Sequence, residues 1–356
     1  PQFGDRWCAG AAAGPKSARI VSPPSIETQA KMDVSRLPHP VADALVCPAC
    51  KTALGQQRSD KLLCPNETCA AVFPVIDGCP VLINDENSVF AVSDFAQGQI
   101  TTMDLRHEAE KPQDLASRLK RLLRQLEPPI SKDVKDFSPD DALEAATTAL
   151  GHPPRTLVIG AGDAQIRPES SAELVYSDVA LGPLTQLICD AHDIPFPDSY
   201  FDAVVANSVL EHVADPYRCA DEIHRVLKPT GFVYAITPFM QQVHMGRYDF
   251  TRFTHLGHRR LFRRFGEERS GVANAQATVL AWSLERYFAG FSDNPRVYAR
   301  LRTLARFIGL PFLWFDHLMA GKRGAYDAAS AYYFFGRKSE RALSDREIVQ
   351  TYRGLS

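Results

Sequence analysis

Between residues 155 and 237, short apolar runs alternate with polar or small-residue turns at a spacing that predicts parallel strands joined by helices. Thr156-Leu157-Val158-Ile159 enters the turn Gly160-Ala161-Gly162. Leu174-Val175-Tyr176-Ser177 ends on Asp178, and Leu187-Ile188-Cys189 ends on Asp190-Ala191. A fourth run, Phe201 to Ala206, leads into Asn207-Ser208-Val209-Leu210-Glu211-His212-Val213. Each run is short, β-rich and closed by a polar or small residue, as expected where ligand groups sit at the carboxyl ends of parallel strands. Asp215-Pro216 opens a helix that ends by Gly231, and Phe232 to Thr237 forms a fifth strand stopped by Pro238.

The flanks read differently. Leu115, Leu119, Leu122, Leu123 and Leu126 recur at helical spacing, with Arg118, Lys120, Arg121 and Arg124 between them, until Pro128-Pro129. A second helix is predicted over Pro139–Leu150, capped by Ser138 and stopped at Gly151. Residues 86–150 are therefore expected to be a helical connector, its basic face solvated. Residues 280–326 also read as helical, with aromatics gathered in Phe307 to Phe315 around Pro311. Residues 1–40, rich in Ala, Pro, Gly and Ser, are expected to be disordered, and 339–356 to be a polar tail. The chain opens on Pro1, so the initiating residue is expected either upstream or at Met32.

Composition narrows the class. Hydrophobic residues make up 45% and charged residues 23%, ordinary for a protein with a sizeable core, and a net charge of −2 exerts no global pull on nucleic acid or membrane. The length of 356 residues suits one α/β domain plus a smaller module. No apolar run approaches a spanning helix.

Cysteine usage supplies that module. Cys47-Pro48-Ala49-Cys50 and Cys64-Pro65-Asn66-Glu67-Thr68-Cys69 are paired knuckles whose four thiolates can converge on one tetrahedral zinc in a structural site. Four thiolates also bind iron, and a disulfide-bonded module is a further alternative. Cys79 is expected to be a buried thiol on the closing strand rather than a fifth ligand. A unit this small needs metal to fold, so residues 41–85 are expected to depend on it.

The ordered set of Gly160-Ala161-Gly162, Asp178, Asp190-Ala191 and Leu210-Glu211-His212 resembles the class I S-adenosylmethionine-dependent methyltransferases, in particular the group whose fourth strand leads into Leu-Glu-His. The resemblance implies a doubly wound, Rossmann-like α/β sheet, mostly parallel with its last strand antiparallel, over residues 151–338. That last strand would be Ala331–Gly336, preceded by a helical lid insertion at about 272–326. It further implies that the glycine turn faces the methionine part of the cofactor, that Asp178 accepts hydrogen bonds from the ribose, and that Asp190 and Ala191 meet the adenine. Asn207 would also contact the cofactor. Val158 and Ala164 depart from the family pattern, standing where it carries an acid and a third glycine. Two other classes are weighed: a dinucleotide-binding oxidoreductase using the same turn, against which Asp190-Ala191 and Leu210-Glu211-His212 count because they are no part of its fingerprint, and a non-catalytic cofactor-binding scaffold. Residues 43–84 resemble the small zinc-ribbon-like protein that activates RNA and protein methyltransferases.

The loop after the fifth strand, Phe239 to His255, crowds His, Asp, Arg and aromatic residues at the ligand edge of the sheet and resembles the corresponding loop of sugar and polysaccharide methyltransferases. His244 is expected to be the general base, oriented by Asp249, with Arg252 and Tyr248 binding substrate and His212 as the alternative base. The alternative is a packed lid with Asp249 and Arg252 as a structural pair. The expected acceptor is a small-molecule hydroxyl, of carbohydrate or lipid-linked type, with RNA or protein as the second reading. A cytoplasmic setting is expected, and the apolar helix before the last strand is a candidate lid, dimer face or peripheral membrane contact.

Overall fold

The protein is seen here as a computed structural model, described for residues 36–58, 60–99, 101–102, 127–162, 166 and 172–355. The leucine-rich helix expected around Leu115–Leu126, Ala164 and most of the expected N-terminal tail lie outside the described residues.

Eleven strands form one sheet among the described residues: β1 (Gly55–Arg58), β2 (Lys61–Leu63), β3 (Val72–Ile76), β4 (Cys79–Leu82), β5 (Arg155–Ile159), β6 (Glu173–Asp178), β7 (Leu187–Cys189), β8 (Phe201–Asn207), β9 (Leu227–Pro238), β10 (Phe265–Asn274) and β11 (Ala331–Lys338). Their order across the sheet is β1-β2-β3-β4-β7-β6-β5-β8-β9-β11-β10. The pairs from β4 through β9 are parallel, and β11 runs antiparallel between β9 and β10. The chain steps outward from β5 to β6 and β7, then returns to β8 and β9 on the other side. The order reverses between β5 and β8, which opens a crevice at the carboxyl ends of those strands. This is the expected doubly wound, Rossmann-like sheet.

The apolar runs of β5 and β8 follow from cover on both faces. Leu157 and Val204 pack on one side with Cys219, Ile223 and Val226 of a helix at Pro216–Val226. Val158 and Val205, one residue on, pack on the other side with Ala142, Leu143 and Ala146 of the helix Pro139–Leu150. Both helices start where the sequence predicts. Ser138 Oγ accepts from Asp141 N at 3.1 Å, and Asp215 Oδ1 accepts from the amides of Tyr217 and Arg218 at 3.1 Å each. Gly151 ends the first of them at φ 75°.

Four expectations are corrected. β10 falls in a stretch with no predicted strand and takes the first residues of the expected lid insertion. Its Glu267-Glu268-Arg269 run hides the period, as on an edge strand kept polar. The insertion proper begins with the helix Gln276–Ala289, followed by Pro295–Leu313. The expected tail from 339 carries a helix at Asp345–Gln350, docked through buried Ile348. At the other end, Leu37 is buried where disorder was expected to reach residue 40.

The fourth correction concerns the cysteine module, expected as a smaller module beside the α/β domain. β4 is buried throughout and pairs with β7 (Val81↔Ile188, Leu82↔Cys189), so the ribbon continues the main sheet. Leu45, Leu62 and Phe73 belong to the same core as Leu187, Phe196 and Phe201. Arg36 reinforces the join, donating to the carbonyls of Asp77, Gly182 and Thr185 at 2.9–3.0 Å. A strand of four residues with an apolar edge gains more from pairing and burial than from standing free.

Candidate functional site

A cavity of about 300 Å³ opens at the crevice between β5 and β8. Gly160, directly after β5, has φ 73°, and a Cβ there would lie 2.3 Å from Val209 Cγ2. Only glycine meets both conditions. Gly162 follows at φ 27°, and its amide donates to Asp178 Oδ2 at 2.8 Å. Asp178 Oδ1 accepts from Ala180 N at 3.0 Å, so each oxygen keeps a lone pair for a ligand. Burial pushes the Asp178 carboxyl above its ordinary range.

Asp190, ending β7, is more fully engaged. Its Oδ1 accepts from His192 N at 3.0 Å and from His192 Nδ1 at 2.5 Å, while Ser88 Oγ donates to Oδ2 at 2.5 Å. His192 Nε2 in turn accepts from Asp215 N at 2.9 Å, which fixes its tautomer. Burial alone would raise the Asp190 carboxyl, but the His192 and Ser88 bonds outweigh it and hold it below the usual value.

Of the sequence-predicted cofactor residues, Gly160, Gly162, Asp178, Asp190 and Ala191 line this cavity. Two do not. Ala161 is fully buried, its amide bonded to Ser177 O, and Asn207 points to solvent at the end of β8. Ser208, turning at φ 56°, takes the lining position expected of Asn207. Sequence reasoning missed Val89, Phe90 and Thr102, which reach the cavity from the segment after β4. No motif marks them. Phe90 packs its ring 5.2 Å from Tyr248.

The loop after β9 joins the same cavity through His244, Met245 and Tyr248, facing His212 from the loop after β8. His212 Nδ1 donates to Tyr248 O at 2.9 Å, leaving a lone pair on Nε2. That Nε2 lies 3.1 Å from His244 Nε2. The Nδ1 of His244 points to Gln242 O at 3.4 Å and lies 3.5 Å from Asp249 Oδ2, which also accepts from His244 N at 2.9 Å. Burial lowers both imidazoles below their ordinary value. Glu211 is fully buried beside them, its Oε1 3.7 Å from His212 Nε2, and among the described residues neither carboxyl oxygen has a hydrogen-bond partner. Burial pushes its carboxyl up to about 8.

Arg252 is not free to bind substrate, against expectation. Its Nε donates to Gln241 O at 2.8 Å, Nη1 to Thr251 O at 2.9 Å and to Asp249 Oδ1, and Nη2 to Gln242 O at 3.1 Å and Asp249 Oδ2 at 2.7 Å. All five N–H groups are used. Asp249 is buried, which alone would raise it, but the Arg252 bonds bring it down to about 2. The pair clamps the loop that presents His244. The insertion braces that loop from outside: Arg286 Nη2 donates to Val243 O at 2.9 Å and Gln242 Nε2 to Ser283 Oγ at 3.0 Å.

Cys47, Cys50, Cys64 and Cys69 form a second candidate centre. Their four sulfurs lie within 4.8 Å of one another, with Cys47–Cys69 at 3.7 Å and Cys50–Cys64 at 3.4 Å. A tetrahedral zinc with bonds of about 2.3 Å holds its sulfurs about 3.8 Å apart, so the four fit the ion. The residues after the two pairs, Lys51 at φ 58° and Ala70 at φ 48°, turn left-handed and fold the chain back round the centre. Cys79 stays outside it, buried on β4, its thiol pushed up to about 12 by burial. Among the described residues no helix is long and apolar enough to cross a membrane.

Residues 163–235 match the family described as "Methyltransferase domain". The chain is 47% identical over 45 residues to the ubiquinone/menaquinone biosynthesis C-methyltransferase UbiE of Paraburkholderia phymatum, covering 13% of this chain and 18% of that one. It is 36% identical over 85 residues to the demethylmenaquinone methyltransferase of Symbiobacterium thermophilum, covering 22% and 34% respectively. The chain thus spans 18% of the length of the first of these relatives and 34% of the second. Among solved structures, the 1,6-didemethyltoxoflavin-N1-methyltransferase of Burkholderia thailandensis aligns over 76% of this chain and 96% of its own, with 12% identity and a TM-score of 0.35. A structure of the Haloferax volcanii Trm112 methyltransferase activator in complex with a methyltransferase aligns over 56% of this chain and 92% of its own, with 18% identity and a TM-score of 0.31.

Proposed function

We propose that this chain, which carries a class I S-adenosylmethionine-dependent methyltransferase domain, transfers a methyl group from that cofactor to a hydroxyl of a small-molecule acceptor, of carbohydrate or lipid-linked type. One observation carries the reading: the cavity lined by the glycine turn, Asp178 and Asp190 is also lined by His212 and His244. Bound there, the cofactor supplies an electrophilic methyl on a sulfonium. Asp178 would accept from the ribose hydroxyls with its remaining lone pairs, and the glycine turn would admit the methionine chain. Asp190, held ionised by Ser88 and His192, stands ready for the adenine amino group.

An acceptor oxygen held in line with that methyl would displace it, the carbon–sulfur bond pair going to sulfur. The acceptor must also shed its proton, and the His212–His244 pair is the group placed to ease that loss. Glu211 stands behind the pair, and the Asp249–Arg252 clamp holds it in place, which is alignment more than force. The four-cysteine centre would hold a structural zinc and leaves no open position for chemistry.

Isothermal calorimetry with S-adenosylhomocysteine, followed by transfer of labelled methyl to sugar-lipid extracts and to bulk RNA, tests the reading. Label in the extract is the expected result. Label only in RNA or protein would overturn the acceptor class, and absence of cofactor binding would overturn the function.

A further inference from the structure

The geometry points to a divalent transition-metal site formed by Glu211, His212 and His244, in which two imidazole Nε2 atoms and one carboxylate oxygen hold a single ion beside the cofactor cavity. The ligand atoms of the three residues lie within 4.8 Å of one another. The His212 and His244 Nε2 atoms are 3.1 Å apart, and Glu211 Oε1 is 3.7 Å from the first of them. An ion bonded at about 2.1 Å to two imidazole nitrogens holds them about 3.0 Å apart at a right angle and about 3.4 Å apart at the tetrahedral angle.

Two independent observations say that something positive belongs at this point. Each imidazole spends its Nδ1–H on a protein acceptor: His212 on the Tyr248 carbonyl, His244 toward the Gln242 carbonyl and the Asp249 carboxylate. With the Nδ1–H groups so placed, both Nε2 atoms face one gap of 3.1 Å, which either a shared proton or a metal ion can fill. Metal-binding histidines are set in this way, with the distal N–H held by a carbonyl or carboxylate. Second, Glu211 is fully buried, and among the described residues neither of its carboxyl oxygens has a hydrogen-bond partner, so without a cation it is held as the neutral acid with its polar atoms unmet. Neither feature helps a bare histidine base, which needs no buried carboxylate without partners.

Two imidazoles and one carboxylate suit manganese, iron, cobalt or zinc rather than magnesium or calcium, and three protein ligands leave positions open for an acceptor oxygen. The inference rests on the methyl-transfer reading and deepens it: with both Nε2 lone pairs on the ion, the imidazoles would ease loss of the acceptor proton through the ion, which would draw the hydroxyl toward ionisation, and not by taking the proton themselves. The ion's binding, however, needs neither acceptor nor cofactor.

The test uses the full chain, freed of loosely held metal and titrated with Mn2+, which a four-thiolate centre disfavours, with no cofactor present. Thermal shift and calorimetry should show one saturable site. Glu211→Gln should keep or raise the melting temperature without metal, because it removes a buried acid, yet weaken Mn2+ by more than the roughly 10- to 100-fold that loss of an outer-shell partner costs. His244→Ala should abolish the site. If the wild-type chain takes up no Mn2+, Co2+ or Zn2+ beyond the cysteine centre, the pair shares a proton instead and the inference fails. It fails equally if Glu211→Gln binds Mn2+ as well as the parent. Cofactor calorimetry is a separate measurement, so failure of the metal site and failure of the methyltransferase reading are told apart.

Discussion

Asp178 offers the sharpest test of the cofactor geometry, because its carboxylate has two tasks that a simple substitution confuses. It holds the glycine turn through Gly162 N at 2.8 Å and its own strand end through Ala180 N at 3.0 Å. It is also the group proposed to accept from the ribose. Asp178→Ala removes both, so a fall in affinity alone proves little. A cycle that also changes the ligand separates them: S-adenosylhomocysteine against its 2′,3′-dideoxy analogue, each titrated calorimetrically into the wild-type and variant chains. A hydrogen bond to a charged group contributes about 1.5–3 kcal/mol, so the wild type should bind the dideoxy analogue roughly 10- to 150-fold more weakly. In Asp178→Ala that penalty should nearly vanish, because no carboxylate remains to miss the hydroxyls. The lost turn contacts should appear instead as a lower midpoint in urea. Equal penalties in the two chains would refute the ribose assignment, however far the variant's affinity falls.

Three further outcomes follow from the same structure. Stripping metal from the cysteine centre should lower the melting temperature of the whole described unit, because β4 pairs with β7 and shares its core; two separate calorimetric transitions would contradict the join. Gly160→Ala puts a Cβ 2.3 Å from Val209 Cγ2 at φ 73° and should cost about 1–3 kcal/mol in urea unfolding, with Val209→Ala restoring the part due to the clash. His258 is buried and its imidazole is pushed down to about 3, by burial first and then by the His255 and Arg259 charges. Its unfolded form titrates near 6.5, so the unfolded chain binds more protons below that pH. The stability is full above pH 6.5 and is lost as pH falls toward 3, by about 2–3 kcal/mol at pH 4.5. His258→Phe should flatten that slope in pH-dependent unfolding.

The core of the sheet was legible because its signal is local and redundant. β5, β6, β7 and β8 are apolar runs closed by Gly160, Asp178, Asp190 and Asn207, and each run ends within a residue or two of where the sequence places it. β10 was hidden because an edge strand needs only one partner, and its charged middle imitates a loop. The join of β4 to β7 was hidden for a different reason. A cysteine pair announces the ion it can bind, whereas nothing in Cys79-Pro80-Val81-Leu82 tells which of several apolar edges will cover it. Pairing between distant strands is settled by competition among buried surfaces, and a single chain's pattern does not record the losers.

The site divides along the same line. Glycines and strand-terminal acids work through backbone geometry, so their spacing carries the information, and Gly160, Gly162, Asp178 and Asp190 meet at one cavity. The groups over that cavity are set by side-chain bonds between loops that spacing does not describe. Arg252 reads in the sequence as a cation waiting for an anion, yet its five N–H groups are consumed by Asp249 and three carbonyls. Glu211 stands in the sequence only as the middle of Leu210-Glu211-His212, yet it lies buried with neither carboxyl oxygen partnered among the described residues, beside two facing imidazoles. Each reversal comes from counting donors and acceptors until none is left over. Where the count closes, as at Arg252, the group is structural. Where it stays open in a buried place, as at Glu211, the group is either neutralised by a proton or met by a ligand, and the metal titration decides between the two.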